Sequence, residues 1–265
     1  MKRTSIPKGK IFSTSQLAKA VGLHPNTIRL YESWGWISSA RRKKNGYRQF
    51  TKLHLLQIQL LKLIFASGLG NQELRKRARK IVSLVAQCDI KEAKKTLESR
   101  RALVRREKRR AEEAIKVIEA WQKGTPEKSD ETCTIKEAAK RLEVTPDTLY
   151  TWERNNLLIV PRDENNGYRR YGQKELNRLL LIRMLRQVGY SISAILRLAH
   201  QLEGRAAFFR NPGTAADART ALDTPYEHEA EVPAAADKWL SWLEDEEKRG
   251  KRAARLLTEL ARLRV

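Results

Sequence analysis

The chain has 265 residues and only two cysteines, Cys88 and Cys133, set far apart. That spacing excludes a disulfide framework and a C-x-x-C metal pair, and it fits a reducing compartment in which both thiols serve as apolar filling. The four histidines, His24, His54, His200 and His228, show no ligand spacing, so neither metal nor cofactor is expected. No apolar run approaches the roughly 20 residues of a membrane span, and Met1-Lys2-Arg3 does not lead into a signal-type apolar core. A soluble, cytoplasmic, nucleoid-associated protein without a membrane partner is therefore expected. No nucleophile–base pair, phosphate loop or metal constellation is present, so the chain is read as a non-enzyme. Acidic residues are scarce as well: 31 Asp+Glu stand against 54 Lys+Arg, for a formal charge of +23. Such a balance favours a polyanionic partner, nucleic acid before membrane surface. The excess is concentrated in residues 1–130, which carry 31 basic and 11 acidic side chains against 23 and 20 in the remainder.

What is present is present twice. Asn45-Gly46-Tyr47-Arg48 returns as Asn166-Gly167-Tyr168-Arg169, 121 residues later, and the register holds without a gap from Phe12/Cys133 to Lys76/Arg197. In the first copy Ser13-x-x-Gln16 is a capping box that opens a helix to about Val21, and Gly22 ends it. Pro25 then pre-sets a second helix to about Trp34. Two short helices across a tight turn form a helix-turn-helix pattern, whose second helix suits a DNA major groove. Thr134-x-x-Glu137 and Thr145-Pro146-Asp147-Thr148 repeat this shape with different residues. Each copy continues into an Asn-Gly hairpin, the strongest short hairpin signal because both residues tolerate positive φ. The hairpin carries Arg41, Arg42, Lys43, Lys44 and Arg48 in the first copy. In the second, Arg162, Arg169 and Arg170 are offset by Asp163 and Glu164.

Helices 52–66 and 173–188 follow, closed by Gly68 and Gly189. Then Asp89-x-x-Glu92 starts a long helix to about Lys123, with Leu97, Val104, Ala111 and Ile118 seven residues apart, a seam that asks for a partner helix. In the second copy the matching helix starts near Pro233, with Trp239, Leu243, Ala253, Leu257 and Leu260 on one face, behind an acidic segment. The expected organisation is a basic arm (1–10), a first head (11–87), a first long helix (88–123) and a linker (124–131). A second head (132–203), an acidic Pro/Gly-containing loop (204–232) and a second long helix (233–265) complete it. Residues 97–122 rise about 40 Å at about 1.5 Å each. The linker spans at most about 27 Å. The second head therefore starts near the far end of the first long helix. A monomeric pseudo-dimer with internally paired long helices is expected, with a homodimer as the alternative.

Thr27-Ile28-Arg29-Leu30-Tyr31-Glu32, Arg41 and Gly46-Tyr47-Arg48-Gln49-Phe50 resemble the signature of the mercury-resistance-regulator (MerR) family. Thr148-Leu149-Tyr150-Thr151-Trp152-Glu153 and Gly167-Tyr168-Arg169-Arg170-Tyr171 are similar, leaning toward the Trp-Glu variant of excisionase-like relatives. The resemblance implies a mainly α fold: two winged helix-turn-helix heads with small β-hairpin wings, each followed by a long helix, the long helices pairing as an antiparallel coiled coil. It implies double-stranded DNA as a partner, with RNA polymerase as a further one, and an operator that is bent and untwisted. Asn26, Thr27 and Arg29 are the expected contacts of the first recognition helix, where Arg suits guanine and Asn adenine. Tyr31, Tyr47 and Arg48 are expected on the DNA backbone, with Arg41, Arg42, Lys43 and Lys44 at the wing tip. Asp147, Thr148, Tyr150, Trp152, Arg162, Tyr168, Arg169 and Arg170 are the second set, with Trp152 read equally as a backbone contact or as part of the core. Unlike recognition helices imply an asymmetric target. The alternative function is a DNA-architectural or excisionase-like accessory factor for a mobile element.

Overall fold

The computed structural model describes residues 10–66, 72–122, 131–196 and 231–263. Nearly all of the expected basic arm and acidic loop, most of the expected linker, and Gly68 lie outside them. In chain order the elements are α1 (Thr14–Val21), α2 (Pro25–Ser33), β1 (Arg41–Arg42), β2 (Arg48–Gln49), α3 (Lys52–Ile64), α4 (Gln72–Ala86), α5 (Ile90–Gln122), α6 (Ile135–Leu142), α7 (Pro146–Arg154), α8 (Gln173–Val188) and α9 (Glu231–Ala261). The fold is mainly α, with one two-stranded sheet among the described residues. The chain divides into two compact units, residues 1–106 with 243–265, and residues 107–242.

In the first unit the Ser13 hydroxyl accepts from Gln16 N at 3.2 Å while Gln16 Oε1 accepts from Ser13 N at 2.9 Å, satisfying two of the donors a helix start leaves open. Gly22, at φ +63°, turns the chain out of α1, and Lys62 Nζ covers the Val21 carbonyl at 2.6 Å. Leu17, Ala18 and Val21 pack with Ile28, Ile37, Leu55, Ile58 and Phe50, and Phe12 pairs with Phe50 across an antiparallel bridge beside the wing. Helix α3 stops at Ile64, two residues earlier than the pattern predicts. A second cluster joins α3 and α4 to the start of α5 and the end of α9: Leu60, Ile64, Ile81 and Val85 meet Ala93, Leu97, Ala253, Leu257 and Leu260.

Both long helices bury a seam stepping by three and four residues. On α5 it runs Ala93, Leu97, Arg100, Val104, Glu107, Ala111, Ala114, Ile118. On α9 it runs Ala236, Trp239, Leu243, Glu246, Gly250, Ala253, Leu257, Leu260. Arg100 and Glu246 are thus core positions of the seam, and they form a buried ion pair within the first unit. Arg249 Nε also donates to Glu246, at 2.6 Å. Ala93 and Leu97 cluster with Ala253, Leu257 and Leu260 while Arg100 reaches back to Glu246, as an antiparallel pair requires. At Gly250 an added Cβ would lie 3.0 Å from Arg101 Cγ, so a glycine permits the close approach.

In the second unit Thr134 and Glu137 make the same capping box for α6, and Gly189 closes α8 at φ +108°. Where the first head has Gly22, the second has Glu143 at φ +49°. Left-handed backbone costs a residue with a Cβ about 1–2 kcal/mol. Glu143 offsets this with a carboxylate 2.7 Å from Arg110 Nη2 of α5. Deeper in, Glu107 of α5 is 1% exposed and accepts from both terminal nitrogens of Arg183 of α8 at 2.8 Å. Charge fixes this stretch of α5, where leucines and alanines fix its start.

Candidate nucleic-acid interface

Helix α2 begins at Pro25, and the His24 imidazole Nδ1 accepts from Asn26 N at 3.2 Å, a cap the sequence pattern did not reveal. Ile28 faces the core; Asn26, Arg29 and Leu30 are exposed and Thr27 half-buried. Asn26 Oδ1 accepts from Arg29 Nη1 at 3.0 Å, so the amide holds the guanidinium that the sequence singled out. Glu32, at the far end of α2, accepts from Arg48 Nε at 2.5 Å and from Ala40 N at 2.9 Å. One carboxylate therefore ties both limbs of the wing to the recognition helix. Arg41, Arg42, Lys43, Lys44 and Tyr47 are exposed, Tyr47 at 72%. Tyr31 is half-buried, beside Trp34 and stacked on Trp36 at 5.5 Å between ring centroids, and Trp36 stacks in turn on Phe65.

The second head repeats the frame and changes its surface. Helix α7 is capped by Thr145, whose hydroxyl accepts from Thr148 N at 3.2 Å and lies 2.9 Å from the Thr148 hydroxyl. Asp147 is exposed where the first head has Asn26. Glu153 accepts from Arg169 Nε at 2.6 Å, the counterpart of Glu32 and Arg48, and this bond raises the Arg169 pKa further. The Arg169 guanidinium also lies 4.9 Å from the Tyr150 ring centroid. Trp152, for which the sequence left DNA contact and core equally open, is 5% exposed: it takes the place of Tyr31 but turns into the head's core, where an apolar indole gains more from burial. Tyr168 remains 73% exposed.

The two wings also differ in register. In the first, Arg41 pairs with Gln49 and Arg42 with Arg48. In the second, strand pairing shrinks to one bridge, Arg162 with Arg169. The turn closes through Asp163 N to Tyr168 O, where the first wing uses Lys43 N to Tyr47 O, so it holds one more residue. Asp163 causes the slip: its Oδ1 accepts from Asn165 and Asn166 N at 3.1 and 3.3 Å, starting the turn one residue early. As a result Arg162 Nη1 binds the Gly167 carbonyl, as Arg42 Nη1 binds that of Gly46, although sequence alignment equates Arg162 with Arg41. Asp163 also pairs with Arg170 at 2.8 Å, which holds its carboxyl below the usual range. The charge of Arg170 is thus partly cancelled. Among the described residues no group of three His, Cys, Asp or Glu is placed to hold a metal, and no helix is long and apolar enough to cross a membrane.

Two exposed recognition helices, each tied by a carboxylate to an Asn-Gly wing, define a tandem winged helix-turn-helix protein. The sequence model of the family described as MerR HTH family regulatory protein matches residues 12–81 and again 133–202, more than half of the chain. The chain belongs to that family. It is 36% identical over 67 residues to an uncharacterized HTH-type transcriptional regulator of Synechocystis, covering 25% of this chain and 49% of that protein. It is 40% identical over 58 residues to the HTH-type transcriptional regulator CueR of Salmonella typhi, covering 22% and 42%. With the HTH-type transcriptional regulator ZntR of Escherichia coli it shares 39% over 64 residues, covering 24% and 45%. The chain spans about half the length of these curated relatives. No solved structure matches it significantly.

Proposed function

We propose that the chain is a sequence-specific, double-stranded DNA-binding transcriptional regulator that sets two unlike heads on an asymmetric operator and bends and untwists it, with RNA polymerase as a further partner. The observation that carries this reading is the contrast between the exposed recognition surfaces. Asn26 and Arg29, hydrogen-bonded to each other, stand beside a wing bearing Arg41, Arg42, Lys43 and Lys44. The second head offers Asp147 and Tyr150, and a wing whose Arg170 is paired with Asp163. The first head is suited to gripping phosphate strongly and reading bases, the second to a weaker, different contact. The non-enzymatic role, the cytoplasmic location and the assignment of site residues, Trp152 excepted, belong to this same reading.

Selection of bound sequences from a random DNA pool tests it. Two dissimilar half-sites at fixed spacing are expected; a palindrome, or no consensus, would overturn it. The Trp152–Glu153 pair favours a second reading, an accessory factor for a mobile element. Footprinting separates the two. Protection between promoter elements supports the regulator, and protection at an attachment or transfer-origin site supports the accessory factor.

A further inference from the structure

Leu30 lies on α2 next to Arg29 and one turn beyond Asn26, 46% exposed, and it belongs to neither of the apolar clusters of the first head. It is not an idle exposed leucine required by the fold. The second head builds the same helix in the same frame with Thr151 at the corresponding position, so the scaffold does not need an apolar side chain there. Trp34, a turn further on, is also exposed, but its ring is engaged edge-on by Trp36 at 5.0 Å. Leu30 thus leaves a bare aliphatic group on the same exposed surface as the Asn26–Arg29 pair. In the DNA major groove the one apolar feature of the base edges is the thymine C5-methyl group.

We infer that Leu30 is a specificity-determining residue that packs on a thymine methyl adjacent to the base pair read by Arg29 and Asn26. This deepens the proposed function and rests on its reading of α2 as the groove helix. Amide and guanidinium then supply hydrogen bonds to one base pair, and Leu30 supplies shape and apolar contact to its neighbour. The first half-site accordingly contains a thymine for which cytosine is a poor substitute. Deoxyuridine is a poor substitute too, although it offers the same hydrogen-bonding groups.

The test replaces each thymine of the first half-site in turn with deoxyuridine and measures Kd for the full-length protein and for Leu30→Ala. Alanine is well tolerated at an exposed helical position, so the variant keeps its fold. One position is expected at which loss of the methyl weakens wild-type binding about three- to tenfold. Leu30→Ala should be weakened on thymine DNA by a similar factor and be indifferent to deoxyuridine at that position, and Leu30→Met should recover sensitivity. Specific binding that is blind to every methyl, or a methyl effect that persists in Leu30→Ala, would overturn the inference while leaving the DNA-reading role intact. Absence of any sequence-specific binding would overturn both.

Discussion

His54 sits buried at the start of α3 with Nδ1 accepting from Thr51 N at 3.0 Å, which requires the imidazole to be unprotonated at that nitrogen. Burial lowers its pKa from the ordinary 6.5, so the folded chain takes up this proton less readily than the unfolded one. The stabilisation is fully present above about pH 6.5 and is lost as pH falls from there through the depressed folded value. The melting temperature should therefore drop on acidification below 6.5, and His54→Gln, which keeps an acceptor for the cap, should flatten that dependence. An unchanged pH profile in the variant would assign the effect elsewhere. Arg29 gives a second test at this scale. If it reads a base, Arg29→Ala costs about 1–3 kcal/mol at one base pair and relaxes preference there; equal loss on all sequences in a binding series would show phosphate contact alone. The identity of Arg29 was legible in the sequence, but the Asn26 bond that orients it was not, because a spacing of three on a helix permits that contact without requiring it. Trp152 shows the opposite outcome: its position in the motif was clear, yet the direction of one ring is decided by packing.

The elements themselves were largely readable. Capping boxes, Pro25 and Pro146, and Gly22 and Gly189 mark helix ends by local chemistry, and α8 has the limits its residues predict. What escaped was the second wing, since a gapless sequence alignment hides a turn one residue longer. Asp163→Arg should remove the turn that causes the slip and release Arg170. If the wing touches the backbone, the slope of log Kd against log salt should then steepen by about 0.9 for each phosphate gained. An unchanged slope in a salt titration would place this wing off the DNA. The seam of the long helices was half legible, through Leu97, Val104, Ala111 and Ile118. Arg100, Glu107 and Glu246 escaped because a search for apolar heptads passes over charges. Removing one partner of a buried pair costs about 3–5 kcal/mol, whereas replacing both with apolar groups can be neutral. Arg100→Met should therefore lower the denaturant midpoint strongly, and Arg100→Met with Glu246→Leu should restore most of it; additive losses would show that the pair is not coupled.

For the whole molecule the question is whether one chain suffices. Within the first unit Leu97 of α5 clusters with Leu257 and Leu260 of α9, the pairing that a monomeric pseudo-dimer needs. A mass near 30.6 kDa is expected by light scattering in dilute solution. A value about twice that would overturn the monomeric reading.

The division of the chain carries a consequence for its biosynthesis. The unit bearing the basic head is assembled from residues 1–106 and 243–265, two stretches far apart along the chain, whereas residues 107–242 are contiguous. The middle of the chain can fold as it leaves the ribosome. The first-made head lacks the share of its second apolar cluster that Ala253, Leu257 and Leu260 supply until those residues arrive. The more basic of the two heads thus becomes complete only after residues 243–265 have been made, and a nascent chain stalled before residue 243 carries that head with its second cluster incomplete.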